Sequence, residues 1–270
     1  MKRGEVIEYR DERNDDFAGT GISAVEVKKE FPFCPKGLLF RIGEFIAYYL
    51  IAIPVVAFIW FAVTGFTIEG RGHVRALRRE LKKSGRGFFV YANHTHWLDA
   101  FLGPLVCFPK KAHVIVSPDT VSIKGLRVIV QLLGAIPLPT ERAAMPGFVG
   151  AVERRINEGR AVTIFPEAHI WPFCTFVRDF KAGSFRYPVK LGAPAVCVCV
   201  TYTKRRWYEL FRKTPRRRVF VSPAMYPDAS LPDPAAKQKL RDEAFEWLSG
   251  TAARYSREEF VRYVKAGSEE

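Results

Sequence analysis

Apolar positions are distributed along this chain in three distinct textures. Residues 1–37 show no helical or strand period until about Val25, and both charge signs crowd there, as in Glu8 to Arg13 and Asp15-Asp16. That texture predicts a polar, weakly ordered leader. Phe45 to Ile68 then runs 24 residues without a charge, long enough as a helix to cross roughly 30 Å of hydrocarbon. The run predicts a membrane-anchoring segment over 38–68, and Pro54 in its middle favours a kinked helix or a helical hairpin. Basic residues flank both ends, with Lys36 and Arg41 before it and Arg71, Arg78 and Arg79 after it. Flanks of one sign fit a re-entrant anchor better than a single crossing. The run begins too late, and lacks the small-residue cleavage site, for a signal peptide.

The third texture covers 69–270, where short apolar runs alternate with amphipathic stretches. Strands are predicted at Gly87–Ala92, Ala112–Val116, Leu133–Leu138, Ala161–Phe165, Ala195–Val200 and Arg218–Val221. Helices are predicted at Val74–Lys83, Phe148–Glu158 and Asp233–Leu248, with Gly159 as a stop signal. The fold class expected is therefore α/β, a mixed central sheet flanked by helices, preceded by the apolar anchor.

Composition adds a charge imbalance. Lys and Arg number 42 against 28 Asp and Glu, a net +14, which favours anionic partners: nucleic acid, an anionic membrane surface or phosphorylated substrates. No zinc finger, RNA-recognition signature or internal repeat accompanies the charge, so no nucleic-acid partner is expected. From Lys204 to Arg218, eight basic residues surround Trp207, Tyr208, Leu210 and Phe211, a mixture suited to a membrane interface or to the phosphates of a substrate. Five scattered cysteines without a CxxC pair fit a reducing compartment.

Two segments carry candidate chemistry. Tyr91-Ala92-Asn93-His94-Thr95-His96-Trp97-Leu98-Asp99 follows a predicted strand and sets His94 and Asp99 five positions apart. If Asp99 lies in the first helical turn, its carboxylate folds back on the imidazole, fixes its tautomer and prepares it to take a proton from a hydroxyl. The second segment, Ala161 to His169, is an apolar strand that stops at Pro166 and delivers Glu167 and His169 to the strand-end edge where α/β proteins bind ligands.

These blocks resemble the glycerolipid acyltransferase family, the 1-acylglycerol-3-phosphate acyltransferases and their relatives. Asn93 to Asp99 is similar to the family's Asn-His-x-Ser-x-x-Asp block, and Phe165-Pro166-Glu167 to its Phe-Pro-Glu-Gly-Thr-Arg block. Gly134-Ala135-Ile136-Pro137 with Arg142, and Phe180-Lys181-Ala182-Gly183 leading to the strand at Ala195, extend the resemblance over roughly 85–202. It implies that 69–270 is a catalytic domain moving an acyl chain from acyl-CoA or acyl carrier protein to a glycerolipid hydroxyl, with no cofactor or metal. His94 is then the general base and Asp99 its orienter, with Asn93, Arg142, Glu167, His169, Arg178 and Lys181 as substrate-binding candidates. The reduced cysteines and basic flanks place the protein on the cytoplasmic face of a membrane.

Two departures stand out: His96 replaces the block's serine, and Ala168-His169-Ile170 replaces Gly-Thr-Arg. The arginine implied for an acceptor phosphate is therefore missing, and a different acceptor is an alternative. A second alternative is a metallohydrolase using His94, His96, Asp99 and His169; a third is a membrane-bound interaction protein that keeps the fold without catalysis.

Overall fold

A computed structural model of the chain describes all residues except 20, 22–23, 61, 63–64, 123–124, 208–212 and 268–270. Tyr208, Leu210 and Phe211 of the basic-aromatic run lie outside the described residues. In chain order the elements are β1 (Glu5–Tyr9), α1 (Leu38–Phe45), α2 (Ile53–Ile59), β2 (Thr67–Glu69), α3 (Arg71–Glu80), β3 (Phe88–Ala92) and α4 (Leu102–Cys107). They continue with β4 (Ala112–Val116), α5 (Arg127–Leu132), β5 (Ala135–Pro137), α6 (Met145–Asn157), β6 (Ala161–Ile164) and α7 (Arg186–Leu191). The chain closes with β7 (Ala195–Thr203), β8 (Arg216–Val221), α8 (Asp233–Tyr255) and β9 (Val261–Lys265).

Seven strands form one sheet in the order β2-β8-β7-β3-β6-β4-β5. All neighbours are parallel except β7 and β8, so the sheet is mixed, as the pattern of runs predicts. Because β3, β4, β5, β6 and β7 all point one way, their C-terminal ends share an edge, and antiparallel β8 brings its first residues to that same edge.

The central strands are buried on both faces, which is why Phe88-Phe89-Val90-Tyr91-Ala92 reads as an uninterrupted apolar run. Alternation then sorts the side chains. Phe89, Tyr91, Val162, Cys197 and Cys199 join a core with α6 and α8, whereas Phe88, Val90, Val196 and Val198 pack against α3, α4 and Trp60. Within α4, Gly103 is required: a Cβ there would lie 1.9 Å from the Thr163 hydroxyl, so its absence lets the helix settle on β6.

The apolar run differs from expectation in its limits. One helix occupies Leu38–Ile59, α1 and α2 being joined by a π-wound stretch, Ile46–Ala52, whose flanking residues are all helical. Pro54 falls at the start of α2, and the wider turns ahead of it absorb the hydrogen bond it cannot donate, so the helix continues instead of turning back as a hairpin. Thr67 and Ile68 are strand β2. The helix is long and apolar enough to cross a membrane, and little of it is buried against the rest of the chain.

The leader departs from expectation too. Its described residues are fitted to the domain: β1 pairs with β9, Val27 and Phe33 are buried, and Phe33 packs edge-on to Phe148. Its polar residues find partners along the strand-end edge, which explains why no apolar period announces it. Trp171 Nε1 donates to Asp15 O at 2.8 Å, and Val27 N donates to Thr140 Oγ1 at 2.9 Å.

Candidate active site

At the end of β3 the ladder gives way to side-chain hydrogen bonds. Asn93 Nδ2 donates to Val200 O at 3.0 Å and Val200 N donates back to Asn93 Oδ1 at 2.8 Å, tying β3 to β7. Both ends of the amide are used and the residue is buried. Asn93 is therefore a staple beneath the site, a correction to its expected role on substrate.

His94 follows, partly open to solvent, its ring stacked on Phe165 with centroids 4.1 Å apart and planes 17° from parallel. Asp99 sits in the 3₁₀ turn Trp97–Phe101, as the five-residue spacing anticipates. Its Oδ2 accepts Thr95 N and His96 N, each at 2.7 Å, and faces His94 Nδ1 at 3.6 Å. The carboxylate thus caps its own turn and points at the Nδ1 side of the imidazole. The separation exceeds a hydrogen bond, a looseness common in catalytic pairs without substrate.

Asp99 is wholly buried, which alone would raise its pKa. The Arg217 guanidinium, the nearby His94 and the Thr95 N–H overcome that and hold it at about 2. Arg217 Nη2 is bonded to Asp99 Oδ1. This residue comes from β8, paired with Tyr202, and is itself buried. In the sequence it sits inside the basic run assigned to a membrane interface; the strand period turns Arg217 inward between Arg216 and Arg218. Arg218 pairs with Glu69 at 2.6 Å.

The second motif meets the first. Glu167, buried at the end of β6, accepts His94 N at 3.3 Å, while Trp171 N donates to His94 O at 3.2 Å and Phe173 N to Thr95 O at 3.0 Å. Glu167 also accepts Arg178 Nη2 at 3.0 Å. Burial pushes the Glu167 carboxyl up to about 7, against the pull of Arg178 and of two backbone N–H groups. Arg178 is buried, lies 4.7 Å from the Trp171 ring centroid and bonds His169 O. Glu167 and Arg178 consequently brace the loop that carries His94, which corrects their expected roles as substrate ligands.

His169 Nδ1 faces Asp16 Oδ2 of the leader at 3.4 Å, turned to a partner rather than to a substrate. Arg142, at the 3₁₀ turn beyond β5, and Lys181, ahead of the turn Ala182–Phe185, are both exposed and without an ion-pair partner among the described residues. The proposed metal set does not converge: His96 Nδ1 accepts Leu98 N at 3.1 Å, His169 is occupied with Asp16, and Asp99 with Arg217. Among the described residues no three His, Cys, Asp or Glu side chains gather as a metal site, which corrects the metallohydrolase alternative.

Beyond Arg217, the contacts that sequence reasoning missed are Phe165 against His94 and Tyr202, whose hydroxyl donates to Thr95 Oγ1 at 2.7 Å. A ring and a strand tyrosine carry no signal in the residue pattern that separates them from core.

The solved structure of the 1-acyl-sn-glycerophosphate (LPA) acyltransferase PlsC from Thermotoga maritima is similar, with a TM-score of 0.46 and 18% sequence identity, covering 82% of this chain and 98% of that chain. No curated protein matches the chain. The family model described as Acyltransferase matches residues 67–201, a stretch that contains the His94–Asp99 turn and the Phe165-Pro166-Glu167 strand end. With half of its length so matched, the chain belongs to the acyltransferase family and is an acyltransferase.

Proposed function

We propose that the protein moves an acyl chain from the thioester of acyl-CoA or acyl carrier protein to a hydroxyl of a lysophospholipid such as 1-acylglycerol-3-phosphate. The observation that carries the reading is the His94 imidazole, ring-stacked on Phe165 and backed 3.6 Å away by a buried, ionised Asp99 at the strand-end edge. His94 Nε2 takes the acceptor's proton as its oxygen attacks the thioester carbonyl; the C–O bond forms, the C–S bond breaks, and the thiolate leaves and is protonated by the imidazolium. A positioned base of this kind contributes on the order of 10²- to 10⁴-fold. A thioester is activated enough for direct attack by the acceptor hydroxyl, so the step needs no enzyme nucleophile.

Membrane association is supported by the outward side chains of Leu38–Ile59 and by exposed Trp97, adjacent to the catalytic turn, where an amphipathic ring suits a lipid interface. The site mouth then opens on the cytoplasmic leaflet, in line with five free cysteines. For the donor, a cavity of about 270 Å³ lined by Arg3, Lys204, Arg205, Trp207 and Lys213 lies beyond the end of β7 and supplies charge for phosphates. For the acceptor phosphate, exposed Arg142 and Lys181 are the cations that remain once Arg178 is committed to Glu167. That commitment also favours a second reading, an acceptor without a phosphate.

Incubating purified protein with acyl-CoA and a panel of phosphorylated and unphosphorylated acceptors, with His94→Ala alongside, tests both readings. Transfer to lysophosphatidate that vanishes in the variant is expected. Transfer only to an unphosphorylated acceptor selects the second reading, and a folded protein that acylates nothing overturns both.

A further inference from the structure

The catalytic turn is joined to the apolar helix by a single buried cation. Arg217 is bonded through Nη2 to Asp99, while its Nε and Nη1 are buried with no hydrogen-bond partner among the described residues. A guanidinium in that position needs compensation. That compensation comes from the indole of Trp60, just past the end of α2: the guanidinium carbon lies 4.8 Å from its ring centroid. Trp60 is fully buried and is held edge-on by Phe66, with centroids 4.3 Å apart. A cation over an indole face in a desolvated setting is the strong form of this contact.

The charges around Asp99 can be followed element by element. Its own turn contributes His94, His96 and the N–H groups of Thr95 and His96; β8 contributes Arg217; β7 contributes the neutral Tyr202 hydroxyl through Thr95; and on the His94 side the end of β6 contributes Glu167, which accepts His94 N and is paired with Arg178. With Asp99 ionised, Arg217 brings the buried pair behind His94 to zero net charge. A lone buried carboxylate would favour the imidazolium over the neutral ring. The neutralised pair still fixes the ring and favours the imidazolium less.

We propose that Arg217, seated on Trp60 of the apolar helix, is the positioning residue that sets the charge and orientation of the Asp99–His94 pair, which makes the membrane helix part of the catalytic machinery. The inference rests on His94 acting as general base. It differs from the resemblance-based reading in assigning a role to two residues outside the motif blocks.

The test uses the full chain in detergent, with Arg217→Met, Arg217→Lys, Trp60→Leu and Trp60→Phe, and two readouts. One is the pH profile of kcat/KM for acyl transfer. The other, independent of turnover, is the NMR titration of isotope-labelled histidine, the His94 signal being assigned by its loss in His94→Asn. Arg217→Met is expected to raise the His94 midpoint and the acid limb of the profile by about one pH unit or more, and to lower kcat at least tenfold. Arg217→Lys returns part of the midpoint shift, because it keeps the charge without the planar face. Trp60→Leu shifts both readouts in the same direction by a smaller amount, and Trp60→Phe by less still.

A folded Arg217→Met protein with an unmoved midpoint and profile overturns the proposal. An unmoved midpoint in Trp60→Leu overturns the helix's share of it. If Arg217→Met does not fold, Arg217→Lys and the two Trp60 variants decide by the same criteria. If the unaltered protein transfers no acyl chain yet its His94 midpoint moves in the variants, the charge coupling stands and the acyltransfer reading of His94 fails.

Discussion

Arg178 and Arg217 each follow a carboxyl group into the interior, and removing either leaves that group without its cation. Arg178→Met strands buried Glu167, whose oxygens also hold His94 N and Arg178 N. With its carboxyl already pushed up to about 7, Glu167 takes up a proton when Arg178 is lost, and a loss of about 1–3 kcal/mol is expected in denaturant unfolding, with His94 displaced and transfer lowered. Asp99 is shifted in the opposite direction to Glu167: held at about 2, it contributes stability that is complete above the ordinary carboxylate range and disappears as pH falls through about 2. Asp99→Asn should therefore flatten the acid end of the stability curve. Ala168 has φ of +66°, a left-handed conformation, at the position where the family block has glycine. Ala168→Gly relieves about 1 kcal/mol of backbone strain, partly offset by glycine's greater unfolded freedom, and a small rise in Tm measures the balance. The His94–Asp99 pair was legible because its partners lie within one turn of sequence. Arg217 was not: it stands 118 residues from Asp99, among basic neighbours of the same type, and only the register with β7 singles it out.

The helix over Leu38–Ile59 is attached to the domain along a narrow seam. Lys111 Nζ, buried, reaches Glu44 Oε1 at 2.7 Å, and Ala112 N donates to Tyr48 at 3.0 Å. The opposite side exposes Leu39, Leu50, Val55 and Phe58. Leu50→Asp with Phe58→Asp is expected to release the protein from sedimenting vesicles while the seam, and hence thermal unfolding in detergent, changes little. Elements with a strong period were legible, and the predicted β4 coincides with the observed strand. β1 and β9 escaped because they are short, partly exposed and rich in charge, and β2 because its first two residues end the apolar run. The six-residue helices α4, α5 and α7 escaped for want of length, since fewer than two turns cannot display a 3.6 period.

The excess of +14 is distributed unevenly over the molecule. Two arginines are spent on buried carboxylates, while Lys204, Arg205 and Lys213 crowd a cavity whose acid, Glu258, is already paired with Arg3 at 2.7 Å. Lys204→Glu with Arg205→Glu should raise the KM for acyl-CoA about tenfold or more at low ionic strength, with the penalty shrinking as salt is added. A short acyl thioester lacking phosphates should show no such change. The α/β class was legible at this scale because layers follow from the alternation of runs; the path of the leader was not, because polar contacts to distant loops leave no periodic trace.

That leader ends up bound to the far end of the chain, with Glu5 opposite Val261 in parallel strands. Translation at about 5–20 residues per second makes β1 wait roughly 10–50 seconds for β9 to be synthesised. The apolar helix, only about thirty residues behind β1, is by then long since made. Synthesis thus orders the assembly: the apolar helix and the strands of the seven-stranded sheet are made before β9, and the strand pair that draws the leader across the strand ends closes after them.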